Sequence, residues 1–441
     1  MRYALPATSL GFATVLVDAY LLKYATETLL IPPAWFALLI WLPRTWDAIS
    51  DPLIGYLSDR TTTRWGRRRP WILGGALPMA VGFWAIWNPA PGLEGTAAVG
   101  WLVGSLMIFY TATTLVDIPH HALGAELCEA YDARTRLFGL RRILAGLGAL
   151  GSVGAILAFD LAGDPAARRA TALHVGLAGV WITAATVPWS VWTTPERPRA
   201  GLQARPLSPV RAFGDVLRNP HARLLLVVAF AQQGAVAALI TSLPFYSDYV
   251  LETPGQSSLY ILVVLLTSFA GVPIVLRVAP TLDKRTLMMG GMIGVALAVA
   301  ALGSATSGAV PFVLGVAAIA GLAAAACDTV GPSLQADIID YDEYITGERK
   351  EAAYFALWTL VAKLSRAGAI SLVALTLATI DFTPNTEQSE STLTGLRLLT
   401  GWLPALGYGA GTLLFSRYRL TREEHARIRT VLDTRRTAAG S

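Results

Sequence analysis

Apolar residues run through this chain in long blocks separated by short polar stretches. They follow neither the two-residue alternation of a strand nor the narrow stripe of a soluble amphipathic helix. A helix needs about 20 apolar residues to cross a bilayer. Twelve such runs are predicted, at about 4–31, 33–58, 70–91, 97–127, 137–162, 171–194, 221–248, 257–279, 286–305, 309–338, 352–380 and 393–416. A membrane barrel would show short alternating segments instead. The first run starts almost at Met1, has no small-residue cleavage site and exceeds a signal core, so it reads as a helix rather than a leader.

The polar stretches are as informative as the blocks. TTPERPRAGLQARPLSPVRAFGDVLRNP (193–220) is the one long interruption, rich in Pro and Arg. It predicts a six-helix bundle over 1–194, a cytoplasmic connection over 195–220, a second bundle over 221–418 and a tail over 419–441. The halves echo each other. The run from Asp117 to Leu127 and that from Asp328 to Ile338 place an Asp, a Leu, an Ala and an acid in register, 211 positions apart. Parallel six-helix halves of secondary transporters carry such repeats. The tail, TREEHARIRTVLDTRR, is expected to form a short amphipathic helix near the lipid headgroups.

Composition agrees with the pattern: 54% of residues are hydrophobic and 15% charged, against roughly 25% charged in a soluble chain. The fold class is therefore an all-α membrane protein. The net charge of +5 is not a nucleic-acid signature, because the basic residues occupy alternate loops. Arg60, Arg64, Arg67, Arg68 and Arg69 follow the second run; Arg134, Arg136, Arg141 and Arg142 surround the start of the fifth. Arg197, Arg199, Arg205, Arg211 and Arg218 fill the middle connection, and Arg277, Lys284, Arg285, Arg349, Lys350 and the tail continue the series. The loops between carry no Lys or Arg except Arg168 and Arg169. The positive-inside rule then puts both termini in the cytoplasm of a cell membrane of the bacterial inner-membrane type. Cys128 and Cys327 stand alone and indicate neither a disulfide nor a metal site. No nucleophile–base set or phosphate loop appears, so an enzyme is not expected.

Ionisable groups inside the membrane are costly and mark ion or substrate paths. They are Asp18 and Lys23 in the first run, Arg44, Asp47 and Asp51 in the second, Asp117 in the fourth, Asp328 in the tenth, and Lys363 and Arg366 in the eleventh. Asp47 and Asp51 stand at i and i+4, on one helix face. Two carboxylates so close require a cation, a shared proton or a basic side chain. Asp47, Asp51, Asp117, Thr114 and Ser50 would make an oxygen-rich cation pocket if the second and fourth helices meet; Arg44 or Lys363 could neutralise the acids instead. Pro52 should free the carbonyl of Ala48 beside them. Asp18 and Lys23 are expected to pair locally or to approach the interface. His120 and His121 read equally as a proton relay or as satisfied interior side chains. Asp328 reads as packing at a kink or as a substrate contact, and Trp358 is placed near a cavity.

GYLSDRTTTRWGRRRP (55–70), preceded by WDAISDP, resembles the cytoplasmic loop motif of the major facilitator superfamily. Together with VDIPHHAL (116–123), RTRLFGLR (134–141), ADIIDYDEY (336–344), LVAKLS (360–365) and TPNTEQS (383–389), it resembles the glycoside–pentoside–hexuronide:cation symporter family over nearly the whole chain. The resemblance implies twelve helices in two bundles and alternating access. It also implies a cation site at Asp47, Asp51, Asp117 and Thr114, with Na⁺ as coupling ion and H⁺ or Li⁺ as alternatives, and no other cofactor. Arg141 (or Arg142), Lys363 and Thr359 match the family's coupling residues. Gly55, Asp59, Arg60, Gly66, Arg67 and Arg68 match its gating loop, with Asp59 expected to tie the bundles together. The sugar contacts do not match. Leu10 and Gly11 stand where sugar transporters of the family carry a Lys-Asp pair, His121 where a tryptophan stacks, and Thr113 where a tyrosine stands. The expectation is a monomeric symporter of a glycoside-like small solute. The alternatives are a lysolipid or other amphiphile as substrate, or a sensor that binds without transport.

Overall fold

A computed structural model describes residues 2–127, 131–194, 196, 209–348 and 350–440. Cys128, Arg197, Arg199, Arg205 and Arg349 lie outside the described residues, as do the side chains of Ala48, Arg134 and Arg211. The chain is helical throughout, with no strand among the described residues. Lipid offers the backbone no hydrogen bonds, and a helix satisfies its own. A turn at Arg2–Ala4 leads into α1 (Pro6–Lys23), followed by α2 (Pro33–Arg60), α3 (Arg69–Trp87), α4 (Gly95–Leu127), α5 (Tyr131–Asp160) and α6 (Pro165–Thr193). Then come α7 (Pro209–Arg218), α8 (Pro220–Phe245), α9 (Ser257–Val278), α10 (Lys284–Leu302), α11 (Val310–Thr346), α12 (Glu351–Thr379), α13 (Glu390–Arg397), α14 (Leu403–Phe415) and α15 (Arg422–Gly440).

Among the described residues eleven helices are long and apolar enough to cross a membrane. The predicted run at 33–58 is present as the 28-residue α2 but falls outside that group. Its interior carries Arg44, Asp47 and Asp51, and it remains one helix through Pro43 and Pro52.

Two sets of helices can be traced, and one apolar cluster runs through both. In the first, α3 lies against α4 and α6, and α1 against α5; in the second, α11 lies against α9 and α10, and α8 against α12 and α14. The sets meet where α2 crosses α12, α5 crosses α9 and α1 crosses α8. The repeat seen at Asp117 and Asp328 recurs in backbone detail at α1 and α8. Each continues into a five-residue π-helical turn, Tyr24–Thr28 and Tyr246–Val250. Each turn is followed by a non-glycine residue at positive φ, Leu30 at 56° and Glu252 at 51°. Tyr24 donates its hydroxyl to the carbonyl of Trp87 (2.8 Å), and Tyr246 does the same to Leu302 (2.6 Å). π-turns concentrate at functional sites, and both of these lie where the halves touch.

Three expectations change. Asp18 and Lys23 do not pair with each other: Lys23 bonds Asp248, and Asp18 faces Arg44 and Arg366. Their five-residue separation puts them on different sides of α1. The tail is not left to the headgroups. α15 folds back on α11, burying Ile428 and Leu432, with His425 at 3.1 Å and Arg429 at 3.3 Å from Asp340. The middle connection is helical in its second part, where α7 offers Asp215 to Lys350 at 3.3 Å.

Gly11 explains a departure noted in the sequence. A Cβ built there would lie 2.2 Å from the carbonyl oxygen of Ala145 on α5. The position closes the α1–α5 contact and has no room for an acid.

Candidate functional site

The charged side chains at mid-helix depth converge between the two halves. Lys363 of α12 reaches across to α2, with its Nζ 2.6 Å from Asp51 Oδ2 and 3.4 Å from Asp47 Oδ2. Thr114 of α4 donates its hydroxyl to the other oxygen of Asp51 at 2.9 Å. One turn earlier on α2, Arg44 lies 3.9 Å from Asp47 and 3.0 Å from Asp18 of α1, with its guanidinium 4.2 Å from the ring centre of Tyr110. Arg366, one turn beyond Lys363, stands 3.5 Å from the second oxygen of Asp18. Three bases and three acids thus form a chain running from α12 through α1 and α2 back to α12.

The i, i+4 spacing of Asp47 and Asp51 is what lets one ammonium touch both. Both are held by a base, yet Asp47 Oδ1 and Ser50 Oγ are buried with no hydrogen-bond partner among the described residues. Unpaired buried oxygens are rare and call for a reason.

Asp117 stands apart from this chain. Its carboxylate is 2.6 Å from Arg141 of α5 and 3.7 Å from His121. Among the described residues no three His, Cys, Asp or Glu side chains converge as a metal-binding group, and the partners of Asp117 differ from the Lys363 and Arg44 that hold Asp47 and Asp51. Asp328, its repeat mate, faces the next residue of α5, Arg142, at 3.5 Å. Consecutive arginines of one helix therefore hold the repeat-related acids of α4 and α11. Arg142, Asp328 and His121 remain about half-exposed although they lie well inside their helices. These side chains of α4, α5 and α11 line an accessible region between the halves.

Other residues of interest fall elsewhere. His120 is buried, stacked 4.3 Å from the ring of Tyr3, with Nε2 2.6 Å from the Tyr3 carbonyl. It anchors the N-terminal turn. Trp358 packs in the apolar interior of the second half against Tyr354, 6.0 Å between ring centres, rather than beside the charged chain. Thr359 is exposed one turn before Lys363.

In the loop after α2, Asp59 pairs with Arg68, and Arg68 donates to Ser58 at 3.0 Å. Glu196 accepts from the backbone N–H of Arg67 and Arg68. Gly66 makes this possible, since it sits at a φ of 108° with Glu196 against its missing side chain. Arg60 lies over the ring of Tyr56 and Gly55 faces Ile118. These contacts of Asp59 and its neighbours stay within the first half.

The opposite end is closed by a set of bonds that sequence reasoning did not assign. Glu27, 1% exposed, receives Arg168 at 2.9 Å and the Tyr249 hydroxyl at 3.0 Å. Asn385 donates to the Glu27 carbonyl at 3.1 Å, and Lys23 bonds Asp248. Ser257 donates to Asp160 at 2.9 Å. Tyr249, Asn385, Asp248 and Ser257 belong to the second half and their partners to the first. Arg168, which breaks the loop charge pattern, was the available clue: it is a half-buried counter-ion of Glu27.

Comparison with known proteins follows the same geometry. The sequence profile of the family described as MFS/sugar transport protein matches residues 2–422. The chain belongs to this family. Membership makes it a multi-pass membrane transporter and not an enzyme. It is 27% identical to an uncharacterized symporter of Synechocystis sp., over 94% of this chain and 93% of that one. It is 23% identical to a glucuronide carrier protein homolog of Escherichia coli, over 98% and 95%. In three dimensions it resembles a crystal structure of a POT family transporter with a thioalcohol-conjugated peptide, at a TM-score of 0.68 and 14% identity, over 94% and 95% of the two chains. That last likeness concerns the fold alone.

Proposed function

We propose that the protein is a cation-coupled symporter of a glycoside-like small solute, working by alternating access. The observation that carries this reading is Lys363 of the second half touching both Asp47 and Asp51 of the first. A monovalent cation, Na⁺ in the first instance, competes with the Lys363 ammonium for those carboxylates. The unpaired oxygens of Asp47 and Ser50 and the hydroxyl of Thr114 are hard donors suited to such an ion. Displacing Lys363 cuts a tie between the halves, so ion binding stabilises one arrangement of them over another, as coupling requires. Asp117 acts through Arg141 beside this site rather than as a third direct ligand.

A polar solute fits better than an amphiphile, since the space between the halves presents Arg366, Asp18, Asp328, Arg142 and His121 rather than an apolar wall. In this reading α2 crosses the membrane as a twelfth helix and both termini lie in the cytoplasm of a bacterial inner membrane, where the basic loops gather. In this reading the protein also acts as a monomer. Uptake of a labelled glycoside into proteoliposomes, driven in turn by Na⁺, Li⁺ and H⁺ gradients, tests the proposal. Accumulation above equilibrium with one of these ions is expected. Equal uptake with and without every gradient would discard coupling, and binding without counterflow would leave a sensor.

A further inference from the structure

Arg366 differs from every other base in the charged chain. Arg44 is 5% exposed and enclosed by Tyr110, Asp18 and Asp47, whereas Arg366 is 39% exposed toward the space between the halves. Its Nε and Nη2 both donate to a single neutral acceptor, Oε1 of Gln233 on α8, at 3.2 and 3.1 Å. The flat two-pronged edge of a guanidinium matches the paired oxygens of a carboxylate or phosphate. Here that edge is occupied by one amide oxygen, which gives weaker bonds than an ionised acceptor. Asp18 does not supply the missing charge. It lies nearer to Arg44, at 3.0 Å, than to Arg366, at 3.5 Å, which exceeds hydrogen-bond length.

The charge count of the chain points the same way. Arg44, Lys363 and Arg366 face Asp18, Asp47 and Asp51, so the cluster is balanced before any coupling ion arrives. A cation at Asp47 and Asp51 leaves one positive charge in excess among largely buried side chains, where an uncompensated charge is expensive. A solute carrying one negative charge restores the balance. A neutral glycoside does not.

We propose that Arg366 is a specificity-determining residue and that the solute is a hydroxylated organic monoanion, whose carboxylate or phosphodiester displaces Gln233 from the guanidinium edge. This rests on the space between the halves being the transport site.

The test is equilibrium binding to the purified full-length protein in Na⁺. The probes are 4-nitrophenyl β-glucuronide, the neutral 4-nitrophenyl β-glucoside, and the glucoside carrying a methyl phosphodiester at its sixth carbon. An anionic probe is expected to bind about tenfold or more tighter than the glucoside, since a bidentate bond to a charged group is worth that much. Arg366→Gln should bring its affinity down to that of the glucoside, and Arg366→Lys should recover only part, keeping the charge but not the fork. The probe that gains identifies the oxyanion.

Equal affinity for all three probes, measurable binding of none, or an equal loss for charged and neutral probes in Arg366→Gln would overturn the inference. A thermal shift by Na⁺ without solute, measured on both variants, shows that they are folded. It also separates the two readings: a Na⁺ shift with no preference for the anion removes this inference and leaves the coupling site standing.

Discussion

The two places where the halves are tied by charge are built differently. At the end away from the termini Lys23 holds Asp248 across the halves, one base to one acid, while Tyr249 and Asn385 donate to Glu27, whose base Arg168 lies in its own half. At mid-depth the partners are shared. Lys363 serves two carboxylates and Asp18 serves two guanidiniums, over distances from 2.6 to 3.9 Å. One-to-one pairs in a buried place form a latch, which holds or breaks as a unit. Shared partners can be exchanged one at a time, because each acid keeps a contact while it changes another. A gate needs the first arrangement and a coupling site the second.

Removing one side of the latch has the largest expected effect. Asp248→Asn leaves the buried Lys23 charged without its acid, a change that costs about 3–5 kcal/mol at a buried pair. Distance labels across that end should show the halves separating, and Asp248→Asn with Lys23→Met should recover part of the closure. An unchanged distance distribution in the single variant would mean that the pair is not a latch.

In the shared site, Asp51→Asn and Asp47→Asn should each weaken Na⁺ binding about a hundredfold, a little under 3 kcal/mol, and abolish accumulation while leaving counterflow measurable. If accumulation survives in both, the ion binds elsewhere. Lys363→Met should act in the opposite direction on affinity, tightening Na⁺ about tenfold by removing its competitor while uncoupling uptake; isothermal titration with Na⁺ decides, and weaker binding would contradict competition. The smallest effect belongs to the tail. His425→Ala loosens a partly exposed contact with Asp340 and should cost about 1 kcal/mol or less, seen as a shift of a few degrees at most in the unfolding midpoint; a larger shift would give α15 a role beyond packing.

Much of this architecture can be read in the letters. Apolar block length points to an all-helical membrane protein, and eleven of the described helices are long and apolar enough to cross, because a bilayer leaves the backbone few options. The i, i+4 spacing of Asp47 and Asp51 identifies one face of α2 as the place that needs a positive charge. What spacing along one helix does not carry is the choice of partner on another. Lys23 belongs to Asp248 and Asp18 to Arg44 and Arg366, more than two hundred positions away in two of those cases. Asp117 shares its sequence context with a cation ligand, yet Arg141 holds it, a choice set by how α5 is rotated against α4. Gly11 is likewise explained only when Ala145 is placed against it.

The balanced count of three bases and three acids has an electrical consequence. If one cation enters with one monoanion, the loaded carrier crosses with no net charge, and the membrane potential does no work on the cycle. If the solute is neutral, each turnover moves one elementary charge, worth about 2.3 kcal/mol per 100 mV. Residues as ordinary as Arg366 and Gln233 would then decide whether this transporter is driven by voltage or by the ion gradient alone.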